Sequence, residues 1–315
     1  MNKWIGLLSI PKGIGVWCAL GLALLVSSVQ ANADCEWVKG MYVSLNRPES
    51  ASLLGDQQQE TALLEFAAEH GFNYLILYDL EGLQASGKRA EQLARFISTA
   101  KKEYGIARVG AALGSKQAAD NIIRFNLAHT KSQHIDVLNL EYEFWNKSNR
   151  EQAFEYSLSV LDYFAQLASR YGMLSEVYIG WITPAEGEAL AKNGSRILLH
   201  YYRHDDVNII DYGLERMAYL ASAGVTVDIA PIFSNEGPDN SADPSGYFMG
   251  PWLAKNGVDK AFLSWIQQYQ QLDVGWKSNL HVFGSSWFLY NHFADIQFSP
   301  TLPEITDTPS GRCAP

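Results

Sequence analysis

The feature that most constrains the fold of this 315-residue chain is a regular alternation of short apolar segments with longer amphipathic ones. The short segments are bounded by Gly, Pro, Asn or Asp and predict β-strands, whereas the periodic apolar residues of the longer segments predict α-helices. The predicted strands are residues 41–45, 74–78, 107–113, 137–144, 177–182, 197–202, 225–233 and 282–289. The predicted helices are residues 57–69, 88–104, 117–128, 150–170, 185–192, 207–223 and 254–272.

Eight strands that alternate with seven helices predict an α/β protein, a single (β/α)8 TIM barrel. A doubly wound open sheet shares the alternation and is the alternative. The glycine-rich fingerprint of that second fold does not follow the first predicted strand, where the chain reads VSLNRP. The sequence shows no linker and no repeat, so we expect one barrel domain over residues 34–315, with an extended tail rich in Pro, Thr and Ser from about residue 299.

Residues 1–33 have the pattern of a cleaved signal peptide. Lys3 and Lys12 precede an apolar run over residues 14–26, and the cleavage signal Ala31-Asn32-Ala33 follows it. The run is shorter than the roughly 20 apolar residues of a transmembrane helix, and an uncleaved anchor is the alternative. We therefore expect a secreted or periplasmic protein that keeps no stable membrane anchor after cleavage.

The cysteines bear on the same prediction. Cleavage would remove Cys18 and leave Cys35 and Cys313, one near each end of the mature chain. Exported proteins fold in oxidising compartments, where two remaining cysteines favour one disulfide. A Cys35–Cys313 bridge needs Cα atoms within about 7 Å, as neighbouring first and last strands of a closed barrel allow. Two free thiols are the alternative.

Composition and charge exclude several classes of function. Hydrophobic residues make up 47% of the chain, which excludes a disordered protein. The chain has 24 Lys+Arg against 34 Asp+Glu, and because phosphate backbones are bound mainly by Lys and Arg, we expect no nucleic-acid partner. His200 and His204 lie on different predicted elements, so we expect no metal. No serine-hydrolase motif is present, and we expect no cofactor.

The fourth predicted strand carries the most informative residues. Side chains alternate between the two faces of a strand, so Asn139, Glu141 and Glu143 share one face, which points inward in a barrel. Two neighbouring carboxylates in a poorly solvated place disfavour joint ionisation, which raises one pKa. A carboxyl that keeps its proton is what a glycosidase needs as general acid. Glu143 is nearest the end of the strand where barrel active sites lie, and we expect it to be that acid. The alternative is an ordinary strand with one face in water.

The spacing of Asp136, Asn139, Glu141 and Glu143 resembles the D-x-x-D-x-D-x-E signature of the family 18 glycoside hydrolases, which include chitinases and endo-β-N-acetylglucosaminidases. The resemblance implies a (β/α)8 barrel with this signature on its fourth strand. It implies that Glu143 protonates the glycosidic oxygen, while Glu141 orients the N-acetyl group of the substrate. Asn139 and Glu141 stand where the family has Asp. In that family, the acid that orients the acetamido group of the substrate must be placed accurately. Glu141 is one methylene longer than Asp, so it departs from that pattern.

Aromatic residues extend the resemblance. Tyr202 matches a tyrosine that supports the acetamido oxygen, but Arg203 follows it where the family has Asp, and Trp287 matches the tryptophan under the bound sugar. Trp145 and Trp181 fall just beyond predicted strand ends, and their flat rings suit sugar faces.

The expected partner is thus an oligosaccharide or polysaccharide, and the expected activity is hydrolysis of a glycan that contains N-acetylglucosamine. Two alternatives remain at the level of the sequence. One is a catalytically inactive glycan-binding barrel, favoured by Asn139, Glu141 and Arg203. The other is a glycosidase of different specificity in which Glu141 acts as base or nucleophile.

Overall fold

The computed structural model describes residues 37–46, 52–235, 249–293, 296, 298 and 299. The predicted signal peptide, Cys35, Cys313 and the tail beyond residue 299 lie outside the described residues. The expectations about export, the disulfide and the tail therefore stay predictions.

Parallel strands close into a barrel, which confirms the predicted (β/α)8 fold. Each strand pairs with the next from the first to the seventh, and the last strand pairs with both the first and the seventh. The eighth strand of the barrel is interrupted at Phe283, so it is divided into two short strands. The strands of the described residues are β1 (Val38–Val43), β2 (Tyr74–Leu77), β3 (Arg108–Leu113), β4 (Val137–Leu140), β5 (Leu174–Ile179), β6 (Arg196–His200), β7 (Val227–Ser234), β8 (Leu280–Val282) and β9 (Gly284–Phe288).

Helices follow the strands as the alternation predicts, with two differences. A 3-10 turn at Ile209–Gly213 replaces the first part of the predicted helix 207–223, and Gly257, whose φ of 76° lies in the left-handed region, divides the predicted helix 254–272. None of the helices within the described ranges has the length and apolarity to cross a membrane. The helices there are α1 (Gln57–Glu69), α2 (Lys88–Glu103), α3 (Lys116–Ala128), α4 (Arg150–Tyr171), α5 (Pro184–Asn193), α6 (Leu214–Ala221), α7 (Gly250–Asn256), α8 (Val258–Gln271) and α9 (Tyr290–Phe293).

Two apolar layers follow from the alternation of side chains along the strands. Outward residues such as Leu138 and Leu140 pack under the helices, while inward residues such as Val137 and Tyr74 fill the barrel. Tyr74 crosses the interior against two glycines. A Cβ at Gly110 would lie 2.5 Å from the Tyr74 hydroxyl, and a Cβ at Gly40 would lie 3.0 Å from its ring. Glycine on both neighbouring strands therefore makes room for this ring.

A closed polar network occupies the interior beside Tyr74. The Glu176 carboxylate is fully buried, and its Oε1 accepts hydrogen bonds from the Tyr74 hydroxyl (2.9 Å) and from Asn139 Nδ2 (2.8 Å). Arg196 Nη2 donates to the other oxygen at 2.8 Å. The Tyr42 hydroxyl donates to Asn139 Oδ1 at 3.3 Å. Pairing and hydrogen bonding are what a buried charge requires, and we call these five residues the interior network.

Candidate active site at the carboxyl ends of the strands

The chain leaves the barrel wall one residue before the predicted acids. β4 ends at Leu140, and the N–H of Glu141 still donates to the carbonyl of Leu113 at 3.0 Å. A 3-10 turn at Phe144–Asn146 follows, and it is anchored by the fully buried Phe144 ring. The prediction of a strand as far as residue 144 is therefore wrong for its last four residues. Glu141 begins the loop above the barrel, and Glu143 lies on the turn.

Glu141 is the carboxyl with the unusual environment. It is partly buried, and the Tyr78 hydroxyl, at the end of β2, donates a hydrogen bond to its Oε2. Burial raises the pKa of Glu141 from 4.5 to about 7, the Tyr78 hydrogen bond opposes that rise, and the charges of Glu143 and Glu81 add to it. Glu141 is therefore half protonated near neutral pH.

Glu143 lies close to Glu141 but in water. Its side chain is exposed, and its Oε2 accepts a hydrogen bond from Asn146 Nδ2 at 2.8 Å. The charge of Glu143 raises the pKa values of both Glu141 and Tyr178, so the structure brings the two predicted acids together. The sequence predicts Glu143 as the protonated carboxyl. The structure instead gives the buried environment to Glu141, because the turn carries Glu143 out of the barrel.

Four rings from different strands line the mouth beside Glu141, and we call them the aromatic wall: Tyr78, Phe288, Tyr202 and Tyr178. Neighbouring ring centroids are 6.1 Å apart from Tyr78 to Phe288, 6.1 Å from Phe288 to Tyr202 and 6.4 Å from Tyr202 to Tyr178. Aromatic walls with few polar groups are typical of ligand pockets. Tyr202 was predicted here, whereas the other three rings were not.

Two of the three predicted tryptophans, Trp145 and Trp181, lie at this end of the barrel. Trp145 lies across Gly180, where a Cβ would come within 2.5 Å of the indole, and its ring is 5.5 Å from that of Tyr178. Trp181 follows β5 and is 48% exposed, which is high for an indole. The Arg150 guanidinium donates to the Trp181 carbonyl at 2.9 Å and to Glu186 at 2.7 Å, which ties this loop to α4 and α5.

Three predicted binding residues do not reach the mouth. Asn139 is fully buried, and its amide is engaged in the interior network. Asp136 precedes β4 at the opposite end of the barrel, where it pairs with Lys101 at 2.6 Å. Trp287 is fully buried and faces the helices, with its ring 5.1 Å from Phe233 and 5.8 Å from Phe293. A ligand at the mouth touches none of these three side chains.

The alternation of side chains along each strand could have identified two of the three rings that the sequence did not predict, Phe288 and Tyr178. Ser286 lies inside the barrel in β9, so Phe288 also faces inward and Trp287 faces outward. Glu176 of β5 faces the interior of the barrel. Tyr178, two residues later, therefore faces the same way and lies at the mouth. The resemblance selected Trp287 by its residue type, whereas the register selects its neighbour.

Across the described ranges, no group of three or more His, Cys, Asp or Glu side chains is arranged to hold a metal ion.

Comparison with known proteins supports the fold class and goes no further. No known family matches the chain, and no curated protein matches it in sequence. A β-glucuronidase of Faecalibacterium prausnitzii is similar in structure over 81% of this chain, with a TM-score of 0.51 and 9% identity, and the chain spans 42% of that protein's length. A β-1,3-glucanosyltransferase of Rhizomucor miehei matches 79% of this chain and 86% of its own, with a TM-score of 0.48 and 12% identity. At such identities the likeness is one of fold alone.

Proposed function

We propose that this protein is an exported glycoside hydrolase that acts on a glycan containing N-acetylglucosamine, with Glu141 and Glu143 as its two carboxyl groups. The observation that carries the proposal is the Glu141 carboxyl, with a pKa of about 7, beside a second, exposed carboxyl at the carboxyl end of β4. Active sites of barrel enzymes lie at this end. Glycosidases require one carboxyl that keeps its proton and one that does not.

The geometry favours Glu141 as the proton donor. Tyr78 holds its Oε2, and no hydrogen bond from the described residues reaches Oε1. That oxygen is free to carry the proton, which passes to the glycosidic oxygen as the bond to the anomeric carbon breaks. This assignment differs from the role that the family 18 resemblance implies, in which Glu143 is the acid.

The identity of the sugar is assigned from the spacing of the motif, and the reaction from the two carboxyl groups. The N-acetylglucosamine assignment derives from the four-residue spacing, but Asp136 and Asn139 of that motif do not reach the mouth. Trp145, Trp181 and the aromatic wall supply flat surfaces for sugar rings of any kind. A glycosidase of different specificity is the second candidate, with Glu143 as nucleophile or base. The exposure of Glu143 to incoming water favours it.

The test compares cleavage and binding in one screen. Protein purified after expression of the full chain is incubated with chitooligosaccharides and N-glycans, and products and affinities are measured together. Glu141→Gln should lower kcat by at least about 100-fold while it leaves binding nearly unchanged, because it removes the proton and keeps the shape. Glu188→Gln, on the exposed surface of α5, is the matched control.

Four results decide between the alternatives. Full turnover in the Glu141→Gln variant rules out Glu141 as the acid, and loss of turnover in Glu143→Gln alone returns that role to Glu143. Binding without cleavage by the unmodified protein identifies a glycan-binding barrel instead. Cleavage restricted to glycans without N-acetylglucosamine identifies the second candidate.

A further inference from the structure

Two arginines flank one ring beside the mouth. The guanidinium carbon of Arg216, on α6, lies 4.8 Å from the centroid of the Tyr212 ring, and that of Arg203, just beyond β6, lies 5.4 Å from it. Arg216 also lies 4.8 Å from the Trp181 ring, so it stands behind the exposed indole. We call Arg203 and Arg216 the arginine pair.

Arg216 is buried, and none of the carboxylates in the described part of the chain forms a salt bridge with it. It is 2% exposed, and its Nη2 donates to the Tyr212 carbonyl at 2.6 Å. Its Nη1 donates to the Gly180 carbonyl at 3.4 Å, while its Nε has no partner. The pKa of this guanidinium is lowered by burial, and the groups that oppose the lowering are tyrosine hydroxyls. A buried cation of this kind is costly unless an anion compensates it.

Arg203 is likewise unpaired, since within the described ranges no carboxylate forms a salt bridge with it, and its buried Nε has no partner. The acids that follow it in sequence are engaged elsewhere. Asp205 pairs with His204 at 3.1 Å, and Asp206 accepts a hydrogen bond from Ser264 at 2.6 Å.

His200 lies between the arginine pair and the two acids. His200 Nδ1 lies 3.1 Å from the Tyr212 hydroxyl, and the pKa of His200 is lowered to about 3, first by burial and then by the charge of Arg216. The charge of Arg216 is therefore felt at His200, on the Tyr178 side of the arginine pair.

We propose that the arginine pair binds an anionic substituent, a carboxylate or a sulfate ester, on the glycan, so that the substrate is an acidic glycan. This inference rests on the proposed function, since it deepens the substrate class of the same site. Arg203 makes the contact, because its planar fork of donors matches such oxyanions, and Arg216 adds charge from behind Trp181.

The position of the pair places that substituent away from the bond that is cleaved. The Tyr178 ring, which senses the charge of Glu143, lies 6.1 Å from His200, and the His200 ring lies 5.7 Å from that of Tyr212. Two ring-to-ring steps therefore separate the arginine pair from the acids. The anionic group belongs to a sugar next to the cleaved linkage and takes no part in the bond change.

The experiment measures affinity by calorimetry in the Glu141→Gln background, which prevents turnover. The probes are a tetrasaccharide of alternating glucuronate and N-acetylglucosamine, its carboxyl-reduced counterpart, chitotetraose and 6-O-sulfated chitotetraose. We expect at least one acidic probe to bind at least about tenfold more tightly than its neutral partner, the usual effect of a charge-assisted hydrogen bond. Which acidic probe gains identifies carboxylate or sulfate as the group bound.

Variants then assign the effect to Arg203. Arg203→Gln should remove the preference for the acidic probe and leave neutral affinity unchanged, whereas Arg203→Lys should keep part of it. Arg170→Gln is the matched control, because that guanidinium also lies 5.4 Å from a tyrosine ring but on the far end of α4. Thermal unfolding of each variant verifies the fold.

Equal binding of acidic and neutral probes, an acidic preference that survives Arg203→Gln, or no binding of any acidic probe would each overturn the inference. Cleavage of neutral glycans by the unmodified protein, measured separately, shows whether the proposed hydrolase activity stands when this inference fails.

Discussion

The contact between Tyr78 and Glu141 sets where the candidate acid titrates. The pKa of Glu141 is about 7, and the Tyr78 hydrogen bond holds it below the value that burial alone would give. A general acid must be protonated, so we expect kcat/KM to fall on the alkaline side with a midpoint at about pH 7. Tyr78→Phe should move this limb upward by about one pH unit, the usual worth of such a hydrogen bond.

A matched control exists on the outside of the barrel. The Tyr163 hydroxyl donates to the Asp120 carboxylate at 2.6 Å, so Tyr163→Phe removes a similar bond between two helices. It should leave the pH profile of kcat/KM in place. A limb that moves downward in Tyr78→Phe, or not at all, would show that Tyr78 does not set the titration of the acid.

The same carboxyl makes the stability depend on pH. The folded-state pKa of about 7 lies above the ordinary value of 4.5, so between these values the folded protein holds more protons than the unfolded chain. The contribution of Glu141 to the free energy of unfolding therefore decreases as pH rises through this window, by up to about 3 kcal/mol.

Glu141→Gln removes this loss, so its stability relative to the unmodified protein should be higher at pH 8 than at pH 4 by roughly that amount. Urea unfolding at both pH values measures the difference, and Glu188→Gln, an exposed carboxyl, provides the reference. A difference that does not change with pH would mean that Glu141 is not held in its protonated form by the fold.

At the residue scale, the sequence predicts which face of a strand a side chain takes. It predicts less well whether a ligand can reach that side chain. The alternation of side chains correctly places Asn139 inside the barrel. It does not reveal that Glu176, Arg196 and Tyr74 meet below the mouth, since these residues come from three other strands. Asn139 consequently serves the interior network, and the next inward polar residue, Glu141, lies just beyond the end of β4.

At the scale of elements, the predictions fail where polar residues lie inside a strand or a buried ring pulls the chain away. β5 begins at Leu174 rather than at residue 177, because Ser175 and Glu176 interrupt the apolar run that marks a strand. β4 stops at Leu140 because Phe144 is drawn into the core and forces a turn. Both errors fall on segments that carry a glutamate away from bulk water, Glu176 in β5 and Glu141 after β4, since polar function and apolar patterning compete there.

The start of α5 offers a prediction for an element that supports the site. Thr183 caps this helix through its side chain, which accepts from the Glu186 N–H at 3.3 Å, while Glu186 Oε2 accepts from the Thr183 N–H at 2.6 Å. Thr183→Ala removes the cap and should lower the free energy of unfolding by about 1 kcal/mol. Urea unfolding measures it.

Thr61→Ala makes the same chemical change inside α1, where no cap is lost and alanine is the better helix former. It should leave stability nearly unchanged or raise it slightly. If the two variants proved equally stable, the capping box would contribute nothing, and the loop that bears Trp181 would depend on Arg150 alone.

At the scale of the whole molecule, the barrel places a buried polar interior below the acids and rings at the carboxyl ends of its strands. The closed barrel could be predicted because each strand and each helix has its own local hydrophobic pattern. Consecutive strands then pair side by side until the sheet closes. The aromatic wall and the arginine pair could not be predicted, because each draws on residues far apart in sequence whose meeting depends on the closed barrel. Glu141 and Glu143, which follow β4, could be predicted as a pair because they are neighbours in sequence.

The interior network is the place where the whole barrel is most sensitive. The Glu176 carboxylate is fully buried, and Arg196 is its only cationic partner among the described residues. Arg196→Met fills a similar volume but leaves this charge unpaired, so we expect a loss of about 3–5 kcal/mol in the free energy of unfolding at neutral pH. Arg196→Met combined with Glu176→Gln removes both charges and should recover most of that loss.

The exposed pair of Lys192 and Glu188 on α5 serves as the reference, because its side chains are 56% and 50% exposed. Lys192→Ala should cost no more than about 0.5 kcal/mol, since water already solvates both charges. Urea unfolding of these variants separates an unpaired charge from a simple loss of packing. If the double variant were as unstable as Arg196→Met, the loss would come from the packing of the Arg196 side chain. The ion pair with Glu176 would then contribute nothing to stability.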